Sequence, residues 1–105
     1  MTKVAFSPKS RQDLLTIGDH LAKDSRANAR RFVGALLQQR RRIGNAPLGY
    51  VSRDDLAPGL RMAAVERYVI FFRLTNSTVR IERVLHGVRN LPTVLAPERN
   101  NAARD

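Results

Sequence analysis

The stretch that most constrains this chain is residues 60–90. It reads LRMAAV, ER, YVIFFRL, TNS, TVRIERVLH and GVRN, three runs rich in β-branched and aromatic residues separated by two short polar breaks. That is the pattern of an antiparallel meander. Successive side chains of a strand point to opposite faces, so Phe71 and Phe72, adjacent in the most apolar run, put an aromatic on each face. A strand apolar on both faces is a central strand, and the rest of the chain has to cover it.

The cover comes earlier in the chain. Lys3, Val4, Ala5 and Phe6 form a short candidate strand. Ser7-Pro8 then starts a helix, with Ser7 as N-cap and Pro8 at the first helical position, where its missing N–H costs nothing. Leu14, Ile17 and Leu21 recur at helical spacing with Leu15 beside them, which predicts an amphipathic helix over residues 8–23. Gly18, on the same stripe, weakens that helix and is expected to let the next one pack closely. After a turn and cap at Asp24-Ser25, residues Ala29, Phe32, Val33, Leu36, Leu37 and Ile43 form the apolar face of a second helix. Gly44-Asn45 and Pro47 stop it. Two helices joined so tightly form an antiparallel hairpin, the natural cover for the meander.

Residues 44–59 carry two prolines and three glycines and form a long connector, a kind of segment that often has a function. Tyr50, Val51 and Leu56 are expected to pin it to the core. After the meander, Leu91, Val94 and Leu95 are expected to dock, with residues 97–105 a flexible tail and residues 1–96 a single domain.

Several chemistries are excluded. The 105 residues hold no cysteine, so there is no disulfide, thiolate nucleophile or zinc–thiolate site. His20 and His86 lie too far apart to suggest a metal site from spacing. Gly-rich phosphate loops, Gly-x-Ser-x-Gly elbows, His-Glu-x-x-His and metal-spaced carboxylates are absent, and Asp54-Asp55 beside Arg53 reads as a solvated turn. No cofactor is expected. Without an apolar signal core or a membrane-length apolar run, the expected location is the cytoplasm.

Charge is the unusual quantity. Lys and Arg total 19 against 9 acids, a formal net charge of +10. Between Ser25 and Arg53 there are seven arginines and no acid. Arg30, Arg31, Arg40, Arg41 and Arg42 form a cationic face on the second helix, suited to speeding encounter with an anionic partner. An arginine-rich surface also simply solubilises, but such surfaces usually interleave acids.

The layout is β-α-α-β-β-β, an α+β fold with an antiparallel sheet packed against an N-terminal helical hairpin. Within it Pro47-Leu48-Gly49, Leu56, Pro58-Gly59-Leu60-Arg61, Tyr68-Val69-Ile70-Phe71-Phe72-Arg73 and Ile81-Glu82-Arg83-Val84-Leu85-His86-Gly87-Val88-Arg89-Asn90 stand in order. This set, with Ser7-Pro8, Asp13-Leu14 and Ile17 at the opening, resembles the ParE branch of the RelE/ParE toxin superfamily over residues 3–90. It departs from the usual pattern at Phe72, where Tyr is frequent, at Asn90, where Asp is frequent, and at Tyr50, where Arg is common.

The resemblance implies the toxin of a type II bacterial toxin–antitoxin pair that inhibits DNA gyrase by binding. It also implies neutralisation by a ParD-like antitoxin whose acidic C-terminal segment wraps the toxin in a hetero-oligomer. Leu15 and Leu21, with Arg61, Arg73, Arg83 and Arg89, are the residues expected to hold that segment. The rival is a RelE-like, ribosome-dependent mRNA endonuclease, in which His86, Arg61, Arg83 and Arg89 would supply an acid/base and cations for a metal-independent cleavage. Against it, no Tyr, Glu or Lys follows His86 within the C-terminal strand and its exit. His86 also fits a hydrogen-bonding residue at a strand end, and Arg83 and Arg89 fit salt bridges to Glu82, Glu66 or a loop acid. Direct nucleic-acid binding is not expected: the charge is present, but no recognised module and no aromatic stacking ladder accompanies it.

Overall fold

The structure, a computed structural model, describes residues 2–87. The expected docking of Leu91, Val94 and Leu95, the tail over 97–105 and the position of Arg89 lie outside the described residues. Strand β1 (Lys3–Phe6) leads into helices α1 (Pro8–Asp24) and α2 (Arg26–Asn45). A 3-10 turn (Pro47–Gly49) and strands β2 (Val51–Ser52), β3 (Arg61–Val65), β4 (Tyr68–Thr75) and β5 (Thr78–His86) follow.

The helix boundaries follow from local chemistry. Ser7 Oγ accepts from the Ser10 N–H at 3.0 Å and Pro8 opens the first turn of α1. Ser25 alone separates the helices and caps α2 by accepting from the Asn28 N–H at 3.2 Å. The hairpins are equally local. Thr75 pairs with Thr78 across Asn76 and Ser77, both in the left-handed region at φ 49° and 65°, the signature of a type I′ turn. Val65 pairs with Tyr68 across Glu66 and Arg67, with Glu66 at φ 55°.

The sheet order is β1-β5-β4-β3-β2. The meander is antiparallel as expected, but β1 pairs in parallel with β5, from Lys3 opposite Thr78 to Phe6 opposite Ile81. The sheet is therefore mixed. Parallel neighbours need a long crossover, and here the helical hairpin and the first part of the meander supply it. Strand β4 is central, and its two phenylalanines divide as expected. Phe72 joins Ile17, Phe32, Leu36, Ile43, Ile70 and Ile81 in the main core beneath the helices. Phe71 faces the other way into a smaller cluster with Leu60 and Leu85. That outer cluster is covered by the connector, through Leu56 and Ala57, not by the helices.

Several side chains depart from the sequence reading. On α2 the buried line is Phe32, Leu36 and Ile43, whereas Val33 and Leu37 are 48% and 51% exposed. The apolar stripe is wider than the face the sheet and α1 can cover. Val51 does not pin the connector: it is 61% exposed on a two-residue edge strand. Tyr50 does, packing edge-on against Phe72 at 5.8 Å and donating its OH to Gln39 at 3.1 Å. Gly18 brings no close approach, since a Cβ built there meets nothing within 4 Å. The close approach occurs at Gly87, which donates to the Arg67 carbonyl at 3.0 Å and whose added Cβ would lie 3.3 Å from that oxygen.

Candidate functional site

Strand β1 covers β5 only as far as Ile81, so the remaining edge of β5 meets α1 instead. The register also breaks there. Phe71 lies opposite Arg83 and Phe72 opposite Ile81, which leaves Glu82 as an extra residue on β5, a β-bulge. A bulge and an open edge expose backbone groups that need partners. Ser7 and Asp13 provide them. The Ser7 N–H donates to the Ile81 carbonyl at 2.9 Å, and Ser7 Oγ donates to the Glu82 carbonyl at 2.8 Å. Asp13 Oδ2 accepts from the Val84 N–H at 2.9 Å, and both Asp13 oxygens grip the Arg83 guanidinium at 2.8 and 3.0 Å. The Asp13 hydrogen bonds raise the Arg83 pKa above the usual arginine value, against the opposing effect of burial.

Beyond this clamp lies an open cavity of about 370 Å³ lined by Asp13, Thr16, Ile17 and His20 of α1, Arg83 to His86 of β5, and Tyr68. Tyr68 packs edge-on against Phe32 at 5.1 Å and against His86 at 5.4 Å. The fold thus brings His20 and His86 to one cavity, which their separation in sequence did not suggest. Among the described residues, no group of three or more histidines or acids is placed to hold a metal ion.

Of the proposed nuclease residues within the described part of the chain, Arg83 and His86 line this cavity, whereas Arg61 stands apart from them. His86 ends β5 opposite Tyr68, which pairs with Val65, whereas Arg61 begins β3 opposite Phe72. Arg61 and His86 are therefore four residues apart along the sheet and two strands apart across it, roughly 14 Å by roughly 10 Å. Arg83 is held by Asp13, not by Glu82, Glu66 or a loop acid. Arg61 donates to the Tyr50 carbonyl at 2.8 Å. Arg73 donates to the Pro58 carbonyl at 3.0 Å and pairs with Glu82 at 3.2 Å, an acid it shares with Arg80.

The expected contact leucines differ as well. Leu15 is 64% exposed, whereas Leu21 is partly buried against the main core. Arg30, Arg31, Arg40, Arg41 and Arg42 are all exposed. Arg31 pairs with Glu66 at 3.2 Å and Arg40 lies 6.0 Å from the Phe6 ring centroid. Sequence reasoning missed Asp13 as a clamp, although Asp13 and Arg83 both stood among the quoted motifs. The missing signal was the bulge that joins them.

A five-stranded mixed sheet under a helical hairpin, with an acid-poor, arginine-rich outer helix, defines a small cationic α+β domain. The family model described as ParE toxin of type II toxin-antitoxin system, parDE, matches residues 4–91, and the chain belongs to that family. Among solved structures it is similar to a chain of the chromosomal ParDE toxin–antitoxin system from P. aeruginosa. The TM-score is 0.70 at 21% sequence identity, covering 82% of this chain and 96% of that one. No curated protein sequence matches the chain.

Proposed function

We propose that this protein is the toxin of a type II toxin–antitoxin pair that acts in the cytoplasm by binding and inhibiting DNA gyrase, without catalysis of its own. The observation that carries this reading is membership of the ParE toxin family over residues 4–91. The geometry adds support, because a metal-free ribonuclease needs an acid/base and cations around one phosphate. Arg61 stands far from His86, and the Arg83 charge is already met by Asp13.

A ParD-like antitoxin is the proposed neutralising partner, and the similarity to a chain of a ParDE system supports such a partner. The exposed apolar side chains of the hairpin, Leu15 on α1 and Val33 and Leu37 on α2, offer an amphipathic segment its anchors. Arg61, Arg73 and Arg83 make internal contacts and would meet antitoxin carboxylates only through their remaining donors.

The test is a supercoiling assay with purified protein. Inhibition or trapped cleaved DNA is expected at stoichiometric ratios to gyrase, with RNA left intact with or without ribosomes. Turnover of ribosome-bound message, abolished by His86→Ala, would replace this reading with the nuclease.

A further inference from the structure

The outer face of α2 is an arginine surface of a particular shape. Counting about 100° per residue around the axis, Arg30, Arg31, Gly34, Gln38, Arg41 and Arg42 share an arc about 120° wide. That arc faces away from the buried Phe32, Leu36 and Ile43. Two arginines stand at each end, and Arg30 and Arg41 lie about 16 Å apart along the helix. Gly34 between them is exposed, with nothing within 4 Å of a Cβ built there, so the middle of the arc is a shallow saddle.

Arg30, Arg41 and Arg42 make no ion pair or side-chain hydrogen bond among the described residues, and Arg31 alone of the four has an acid, Glu66. Clustered guanidinium groups left without counter-charges repel one another and offer their forks to an external anion.

We propose that this arc binds the sugar–phosphate backbone of double-stranded DNA. An acidic protein also carries anions, and the exposed Leu37 and Val33 border one edge of the arc, but the arc's own side chains are arginine, Gln38 and small residues, whereas protein interfaces are built around a buried apolar centre. A single strand is equally ill-suited, because no aromatic side chain lies on the arc to stack with bases. A duplex presents about one negative charge every 1.7 Å as two stiff phosphate rows. The arginine pairs reach such rows on either side of the saddle. Gln38 is the only side chain between them able to read a base edge, so the binding is independent of sequence. No stacking ladder is needed for backbone contact, so its absence does not weigh against this mode. The inference does not depend on the identity of the toxin's target.

The experiment is fluorescence anisotropy of the full chain, without gyrase, on a labelled random-sequence duplex of about two helical turns. Four phosphate contacts predict a slope of about −4 in log Kobs against log salt. That is a loss of about two orders of magnitude between about 50 and 200 mM salt. The variant R30Q/R41Q/R42Q, checked for folding by circular dichroism, should flatten the slope by about 3. Arg80→Gln, whose residue is paired with Glu82 on the sheet, should leave it unchanged. A wild-type slope in the triple variant overturns the proposal. So does tighter binding to the single strand, or displacement by polyglutamate as effective as by unlabelled duplex. Failure here leaves the supercoiling result untouched, so the two readings fail separately.

Discussion

Asp13 is the residue on which most depends. One carboxylate satisfies the Val84 N–H and both of its oxygens hold Arg83, with side-chain exposures of 13% for Asp13 and 22% for Arg83. Removing it leaves a partly buried guanidinium and a backbone donor without their acceptor. Asp13→Ala should cost about 2–3 kcal/mol and lower Tm by on the order of 10 °C, measured by thermal denaturation. Asp13→Asn keeps an acceptor for Val84 and should cost less. Equal losses in the two would mean that charge, not the backbone bond, accounts for the whole effect. Ser77 gives the opposite sign. It occupies the second central position of a type I′ turn at φ 65°, where a Cβ is strained and glycine is not. Ser77→Gly should stabilise the protein by about 0.5–1 kcal/mol despite the entropy glycine adds to the unfolded chain.

At the scale of elements, the connector between β2 and β3 is the segment whose order depends on acids. Asp54 accepts from the Gly59 N–H at 2.7 Å and from Ser52 Oγ at 3.0 Å, and the first of these chiefly holds its pKa below the usual carboxylate value. Asp55 is lowered by its bidentate pairing with Arg53 at 2.9 and 2.8 Å. A carboxyl whose folded pKa is depressed contributes stability above its unfolded pKa, about 4, and loses it as pH falls through the folded value. The connector should therefore loosen in acid below about pH 4 and be indifferent to pH between neutral and mildly alkaline conditions. Hydrogen exchange should report this as faster amide exchange over residues 53–60, with Ile70 and Ile81 still protected. Asp54→Ala should produce the same local loosening at neutral pH. Uniform loss of protection across the sheet would show instead that the connector and core open together. Loosening would matter because Leu56 and Ala57 cover Phe71 and Leu85 on the outer face.

For the whole molecule, the relevant surface is the helical hairpin, whose apolar side chains are incompletely covered. The exposed Leu15, Val33 and Leu37 belong to the hairpin. Leu15→Asp changes a side chain that is 64% exposed, so it should leave the fold intact while weakening antitoxin binding by at least tenfold, about 1.4 kcal/mol. Leu21→Asp is a poorer probe, since Leu21 packs on the core and its loss would confound folding with binding. Isothermal titration with the C-terminal segment of the proposed antitoxin distinguishes the cases. If Arg61→Ala or Arg73→Ala weakens binding more than Leu15→Asp does, charge rather than apolar contact holds the partner.

The sequence alone determined what short-range chemistry controls. Ser7-Pro8 and Ser25 marked the helix starts, the polar breaks marked the hairpin turns, and Phe71-Phe72 marked a strand buried on both faces. Each signal lies within a few residues of the element it specifies. The order of motifs along the chain also indicated the family. Only the tertiary structure decided what long-range closure controls. The parallel pairing of β1 with β5 brings residue 7 to residue 82 and Asp13 to Arg83, and neither contact has a counterpart in local sequence. The same closure sets His20 and His86 around one cavity and parts Arg61 from His86. Apolar periodicity on α2 named the residues able to be buried, but the width of the surface laid against the helix chose Phe32, Leu36 and Ile43 and left Val33 and Leu37 in solvent. Periodicity records a side chain's direction from its own helix, whereas burial depends on what packs there.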